Sequence, residues 1–301
     1  MERPESMSHS KQYCGRFAPS PTGPLHFGSI VAAAGSFLDA RANGGKWLVR
    51  MEDIDEARTE ADAISRIPYT LEALGMEWDG EITRQSRRKS IYGEALASLA
   101  GTTYPCSCSR RDTGEIYPGT CRNGARGAAR TIRVRVGNET ISFVDAIQGE
   151  FGQNLEKDVG DFVLFRADGF FAYQLAVVVD DMEQNVTHVV RGADLLDSTP
   201  RQVYLQRLLG HATPAYSHLP VAVNAKGEKL SKQTLAQAVE PGIPVLFNAL
   251  KFLGQAPPDE LLDADIASFW KWAIMHWDSA DIPKTTTGSI DEFDQDRIPG
   301  P

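Results

Sequence analysis

The order of apolar runs predicts an α/β protein: a parallel-sheet nucleotide-binding core, split by an insertion of small strands and followed by a short helical appendage. Three observations carry this. A strand-turn-helix-strand unit opens the chain, an arginine-rich stretch with three cysteines interrupts it, and strand-helix alternation then resumes before two amphipathic helices. With 301 residues, 42% of them hydrophobic, the chain can bury a core as one large or two modest domains.

In the opening unit Tyr13 to Ala18 can extend as a strand. Pro19 and Pro21 bias their preceding residues away from helix, and Thr22-Gly23-Pro24 turns the chain. A helix starts near Leu25 with Ile30, Ala33, Ala34, Phe37 and Leu38 on its apolar face. Gly44-Gly45 stops it before an extended Lys46 to Met51. His26 and Gly28 fall on the first helical turn, where unpaired N–H groups and the positive dipole end attract phosphate, and Gly28 leaves room for a flat ring. A His-x-Gly pair alone says little, since 6 His and 26 Gly in 301 residues give about 0.5 such pairs by chance.

This first half of the core is expected over residues 12–101. It holds a helix from Glu60 to Leu74 with Pro68 as a possible kink, a short strand at Glu81 to Gln85, and a helix from Arg87 to Leu99. Residues 102–171 read as the insertion, with strands at Thr131 to Val136 and Ile141 to Asp145. Residues 172–239 read as the second half of the core: a helix at Tyr173 to Met182, a strand at Thr187 to Val190 and a helix at Thr199 to Leu209. Residues 240–277 form the appendage, with helices at Pro244 to Phe252 and Asp259 to Trp277. From Asp278 to Pro301 no apolar period remains, and a frayed or disordered tail is expected.

A net charge of −9 argues against a non-specific nucleic-acid coat, so an RNA partner would be held by local patches. The candidates are Arg84, Arg87, Arg88 and Lys89, and the run Arg122, Arg126, Arg130, Arg133 and Arg135; each also reads as a solvated face. No run has the apolar length to cross a bilayer, and Met1 to Lys11 is short and polar rather than a signal peptide, so a cytoplasmic protein without a membrane partner is expected. Cys14 reads as a small buried hydrophobe. Cys106, Cys108 and Cys121 cluster, which in a reducing compartment suggests metal, with Asp112, Glu115, Tyr117 or a water open as the fourth ligand of a zinc ion.

Lys229-Leu-Ser-Lys-Gln233, after Val221-Ala-Val-Asn and a Lys-Gly turn, resembles the mobile lysine loop that class I aminoacyl-tRNA synthetases pair with a His-x-Gly helix start. Leu48-Val-Arg-Met-Glu-Asp-Ile-Asp55 and Arg191-Gly-Ala-Asp-Leu-Leu-Asp-Ser-Thr-Pro-Arg-Gln202 resemble the glutamyl branch of that class. Four ordered motifs over about 220 residues make the set specific where each alone is not. The resemblance implies a class I synthetase-type, Rossmann-like sheet and activation of L-glutamate by ATP, with Mg2+, to glutamyl-adenylate without need of tRNA. It implies His26 and Lys232 as the catalytic pair, with Gly28 and Lys229 also at the ATP. Arg16, helped by Arg191, would meet the glutamate side-chain carboxylate and Glu52 the α-amino group, while Phe17, Ala18, Pro19, Ser20 and Tyr173 complete the pocket.

Cys106-Ser-Cys108 followed by Tyr117-Pro-Gly-Thr-Cys121 resembles the zinc knuckle of the bacterial glutamyl-queuosine tRNA(Asp) synthetases, in which the tyrosine is a ligand; one structural zinc on Cys106, Cys108, Tyr117 and Cys121 is thereby implied. Ser29, where many class I synthetases carry a second histidine, and Gln233 at the end of the lysine loop are also features of that group. The implied acceptor is the queuosine base in the anticodon loop of tRNA(Asp), served by a monomer lacking a large anticodon-binding region. Rival readings are an ordinary glutamyl-tRNA synthetase charging the 3′ end, a small adenylyl transferase of the pantothenate-ligase kind, and a non-catalytic tRNA-binding paralogue.

Overall fold

A computed structural model describes residues 12–229 and 239–290. Lys232 and Gln233 lie outside the described residues, as does the chain from 291 on.

Strand β1 (Cys14–Phe17) runs into the Pro19–Pro24 turn, and α1 (Phe27–Ala42) leads back to β2 (Lys46–Met51), parallel to β1 with Cys14 opposite Lys46 and Phe17 opposite Val49. The close return needs Gly45: a Cβ there would lie 2.6 Å from the Tyr13 side chain. Helix α2 (Ala61–Ala73) continues through Pro68 and leads to β3 (Thr83–Arg84), parallel to β2; α3 (Lys89–Ser98) follows.

The insertion begins with β4 (Thr103–Cys106), a single-turn helix α4 (Arg110–Thr113) and β5 (Thr131–Val134). Then come the hairpin β6 (Thr140–Asp145) and β7 (Gly149–Asn154), the single turn α5 (Leu155–Asp158) and β8 (Val163–Phe165). Strands β4, β5 and β8 form an antiparallel sheet of their own. The hairpin does not stay with them. Its β6 pairs in parallel with a strand of the second half-core, so the sequence stretch read as one unit is divided between two sheets.

That half-core consists of α6 (Tyr173–Glu183), β9 (His188–Gly192), α7 (Thr199–Leu208) and β10 (Ala215–Leu219), with β9 parallel to β10. Strand β1 lies beside β9, where the Thr187 N–H donates to the Cys14 carbonyl at 2.9 Å. Across this junction the strands run β3-β2-β1-β9-β10-β6-β7. Adjacent side chains on β9 point to opposite faces, as the pleat requires: Val190 joins a core formed with α1, α2 and two C-terminal helices, and Val189 joins a core formed with α3, α6 and α7. Among the described residues no helix is long and apolar enough to cross a membrane.

The last part follows β11 (Val221–Val223) and comprises α8 (Ile243–Phe252), a 3-10 turn at Asp259–Asp263, and α9 (Ile266–Met275). The single helix expected over Asp259 to Trp277 is thus two pieces, because Asp265 caps a fresh start by accepting from the Ser268 N–H at 2.8 Å. Both helices pack on α1, Phe27 edge-on to Phe252 and Phe37 edge-on to Trp270, so the appendage shares the main core.

The frayed tail expected from Asp278 is corrected over its described part. Ser279–Asp281 forms a turn, Ile282 is buried, and β12 (Thr287–Ser289) pairs in parallel with β11. Its order comes from backbone pairing rather than from an apolar face of its own, which is why hydrophobic period did not reveal it. Gly254 makes the docking possible. It sits at φ +75°, and a Cβ would lie 2.1 Å from the Asp281 carbonyl oxygen. Gly254→Ala is expected to cost about 2 kcal/mol or more, read as a lowered midpoint in urea unfolding; an unchanged midpoint would mean the segment is not held there.

Candidate active site

From β1 the chain passes through α1 to β2 on one side, and from β9 through α7 to β10 on the other, so the direction of winding reverses between β1 and β9. Open parallel sheets leave a crevice beyond the carboxyl ends of their strands at such a point. A cleft opens there in two adjoining lobes of about 780 and 530 Å3, which share Phe17, Ala18, Ser20, Gly192 and Asp194.

The larger lobe is bordered by Pro19, His26, Gly28 and Lys229. His26 is the N-cap of α1. Its extended backbone (φ −105°, ψ 172°) lets Nδ1 accept from the Ser29 N–H at 3.3 Å, which assigns the ring hydrogen of the neutral imidazole to Nε2. No acidic residue occupies the first turn of this 16-residue helix, so its positive end is not offset locally. A Cβ on Gly28 would press on the His26 ring at 3.3 Å, so the glycine spares the position of the histidine as well as space for a ligand. Lys229 pairs with Asp194 at the edge of the lobe.

The smaller lobe is bordered by Arg16, Glu52, Tyr173 and Arg191. Arg16 gives Nε and Nη2 to Asp181 at 3.1 and 3.5 Å. Glu52 is enclosed, and burial pushes its carboxyl up to about 7 even though Arg50 and Arg16 pull the other way. Its Oε1 has no hydrogen-bond partner among the described residues. The nearest cation, Arg50 Nη2, stays 3.6 Å away. Arg191 reaches the Tyr173 hydroxyl at 3.4 Å, and burial raises that phenol.

Behind this lobe lies a layer of charge in the protein interior. Asp181 of α6 accepts from Arg16 of β1 and, at 2.7 Å, from Arg50 of β2. Asp180 accepts from Gln85 at 2.8 Å, Arg88 at 2.7 Å and Tyr92 at 2.9 Å. Arg50 is fully buried, and Gln184 takes its Nη1 at 2.6 Å. Burial disfavours its charge, but Asp181, Glu52 and Asp180 more than offset that.

In the insertion the Sγ atoms of Cys106, Cys108 and Cys121 lie within 4.8 Å of one another. The Tyr117 hydroxyl sits among them, 3.3 Å from Cys106 Sγ and 3.7 Å from Cys108 Sγ, and accepts from the Cys121 N–H at 2.9 Å. The Arg133 guanidinium covers the tyrosine ring at 3.9 Å. Asp112 is occupied elsewhere, capping α4 through Ser109. Several arginines considered for RNA are also engaged inside the protein. Arg84 binds Asp53, Arg88 binds Asp180, Arg122 binds Asp161, and buried Arg133 donates to the Asp161 carbonyl at 2.7 Å. Lys89 pairs with Glu56.

Comparison with known proteins agrees with this geometry. The family described as tRNA synthetases class I (E and Q), catalytic domain, matches residues 14–116 and 118–243. The glutamyl-Q tRNA(Asp) synthetase of Dechloromonas aromatica is 55% identical over 289 residues, covering 90% of this chain and 96% of its own; that of Aromatoleum aromaticum is 54% identical, with 90% and 91% covered. The chain belongs to the glutamyl-Q tRNA(Asp) synthetase group of the class I tRNA synthetases. In fold it is similar to a glutamate tRNA ligase from Elizabethkingia meningosepticum solved with its amino acid, at a TM-score of 0.78 and 24% identity over 95% of this chain and 68% of that one.

Within this synthetase fold, the cleft gathers Arg16, Phe17, Ala18, Pro19, Ser20, His26, Gly28, Glu52, Tyr173, Arg191 and Lys229, and Lys232 lies outside the described residues. Sequence reasoning passed over Arg50, Asp180 and Asp181, the last of which holds Arg16. A signal was present: an arginine inside an apolar strand and an acidic pair inside an apolar helix each require a buried partner. Removing one partner strands the other's charge. Arg50→Met is expected to destabilise the fold by about 3–5 kcal/mol, measured by denaturant unfolding; a loss below about 1 kcal/mol would show that the layer contributes little.

Proposed function

We propose that this protein activates L-glutamate with ATP, without need of tRNA, and transfers the glutamyl group to the queuosine base in the anticodon loop of tRNA(Asp). The observation that carries the amino-acid half is the Glu52 carboxylate, enclosed, lacking among the described residues a hydrogen-bond partner on Oε1, and set in a lobe that Arg16 and Arg191 also border. An amino acid with an acidic side chain supplies what that lobe lacks: an ammonium for Glu52 and carboxylate oxygens for Arg16 and Arg191. The relatives at 52–55% identity, which bear the glutamyl-Q tRNA(Asp) synthetase name, support the acceptor half.

In this reading ATP, with Mg2+, lies in the larger lobe. The glutamate α-carboxylate oxygen attacks the α-phosphorus, and the bond to pyrophosphate breaks. His26 Nε2–H and the start of α1 donate to the phosphate oxygens as charge moves onto them, and Lys229 and Lys232 supply cations to the leaving pyrophosphate. The glutamyl group then passes to the base with release of AMP. A third groove of about 950 Å3, bordered by Arg130, Arg133 and Cys108, shares Asp55, Arg58 and Arg166 with the glutamate lobe. It suits an RNA loop, whose unstacked base can be turned into a pocket that a duplex would deny.

The thiol cluster fits a zinc ion. Zn–S bonds of about 2.3 Å in a tetrahedron put ligand atoms about 3.8 Å apart, and Cys108 and Cys121 Sγ are separated by 3.6 Å. Cys106, Cys108, Cys121 and Tyr117 would hold it, the last as a phenolate whose ring the Arg133 guanidinium covers. With four protein ligands the ion would be structural, tying β4 to the loop before β5.

Three outcomes test the reading. His26→Ala, and equally Lys232→Ala, should slow glutamate-dependent ATP–pyrophosphate exchange by about a hundredfold, the scale of losing one transition-state donor, with a smaller change in glutamate KM; loss of affinity at unchanged turnover would assign them another role. Metal analysis of protein prepared without chelator should find about one zinc per chain, absent in Cys108→Ser, with amide exchange faster in β4, β5 and β8 than in the core; metal-free wild-type protein would remove the zinc. Labelled glutamate with ATP should mark queuosine-containing tRNA(Asp) only, and the label should survive removal of the 3′-terminal adenosine. Label on tRNA(Glu), or lost with that adenosine, would make the protein an ordinary glutamyl-tRNA synthetase.

A further inference from the structure

Arg191 enters the glutamate lobe from the end of β9, and none of its flanking residues on that strand holds its guanidinium. What holds it lies deeper. Nε donates to His218 Nε2 at 3.1 Å and Nη2 donates to the Thr199 hydroxyl at 2.8 Å, leaving Nη1 for the Tyr173 hydroxyl on the lobe side. Thr199 and His218 are fully buried. The Arg191 Nε can only donate, so His218 Nε2 must be the acceptor, and the ring hydrogen is therefore on Nδ1. That nitrogen meets Asp145 Oδ2 at 2.5 Å. Thr199, accepting from Arg191, has its own hydrogen left for His218 Nε2 at 3.2 Å or the Leu195 carbonyl at 3.3 Å.

Asp145 is itself fixed. It ends β6, and its Oδ1 accepts from the backbone N–H groups of Ile147, Gln148 and His218 at 3.0, 2.9 and 3.1 Å. A carboxylate with four donors is strongly held in its charged form, which in turn fixes the histidine tautomer. The chain of contacts therefore runs from the hairpin of the insertion, through β10, to a guanidinium in the lobe.

We infer that Asp145 and His218 are positioning residues for glutamate: the β6–β7 hairpin, through a neutral His218, fixes the orientation in which Arg191 meets the substrate carboxylate. The inference rests on the reading of Arg191 as a glutamate ligand. It gives the hairpin a role in amino-acid selection, separate from the thiol-bearing sheet of the same insertion. A longer or shorter acidic side chain would meet a guanidinium that cannot swing to follow it, so discrimination against aspartate belongs to the same relay.

The test is glutamate-dependent ATP–pyrophosphate exchange in His218→Leu, His218→Gln, Thr199→Val and Arg191→Ala, each checked by thermal unfolding. His218→Leu should raise glutamate KM by about ten- to a hundredfold, the range for one hydrogen bond to a charged group, with ATP KM within about twofold and kcat changed less than KM. His218→Gln, which offers both a donor and an acceptor, should recover most of that loss. Thr199→Val should raise glutamate KM by about threefold or more. If His218→Leu does not fold, the Thr199→Val result decides in its place. Arg191→Ala separates the two claims: unchanged glutamate KM in that variant would remove Arg191 as a ligand. A large rise in Arg191→Ala with no rise in folded His218→Leu, or in Thr199→Val where that substitutes for it, would overturn the relay alone. Equal losses toward ATP and glutamate would also overturn it, since they would show a general structural role.

Discussion

The carboxylate pair Asp180–Asp181 on α6 is the constraint on which the cleft depends. Two adjacent charges in a helix whose other buried residues are Leu, Ala and Val can be accommodated only if cations and donors come to them from several directions. They come from β1 as Arg16, from β2 as Arg50, and from α3 and the segment entering it as Tyr92, Gln85 and Arg88. One helix thus fastens three elements of the first half-core to the second half across the sheet. The same bonds set the rotamer of Arg16, so the interaction that joins the halves also shapes the lobe between them.

That layer has a gap, and the gap is chemically informative. The guanidinium groups of Arg16 and Arg50 are drawn toward Asp181, which leaves Glu52 Oε1 close to positive charge but without a hydrogen bond among the described residues. A group enclosed in this way resists ionisation until a donor arrives, so the site is complementary to a ligand carrying both signs of charge. The larger lobe has another character. Backbone N–H groups at the start of α1, with His26 turned by its own capping bond, supply donors on one side of it, and Lys229 paired with Asp194 stands at its edge.

The insertion serves two ends of the molecule. Its antiparallel sheet gathers the thiols and Tyr117, held together by Asp161, which binds Arg122 and Tyr104. Its hairpin leaves that sheet because Phe143 packs against Tyr216 and Ile141 enters the core under α6 and α7, so β6 extends the parallel sheet beside β10. An insertion with both attachments carries Asp145 to the rear of the amino-acid pocket.

The sequence by itself determined the α/β class, the start of α1 at the His-x-Gly turn, the interruption near Thr102 and the clustered thiols, because each depends on local chemistry: helix period, turn residues, or thiols a few positions apart; the choice of Tyr117 beside them came from the resemblance. Most residues proposed for the cleft were legible as well, since they stand in short motifs. Only the tertiary structure decided which arginines are free to meet a ligand. Arg84, Arg88, Arg122 and Arg133 read as basic surface until folding brought Asp53, Asp180 and Asp161 to them. It likewise decided that residues after Asp278 complete a strand pair, that the hairpin joins the main sheet, and that His218 stands between Asp145 and Arg191. In each case the partners are far apart in the chain, and a buried charge or an unpaired strand edge does not show in sequence what will satisfy it.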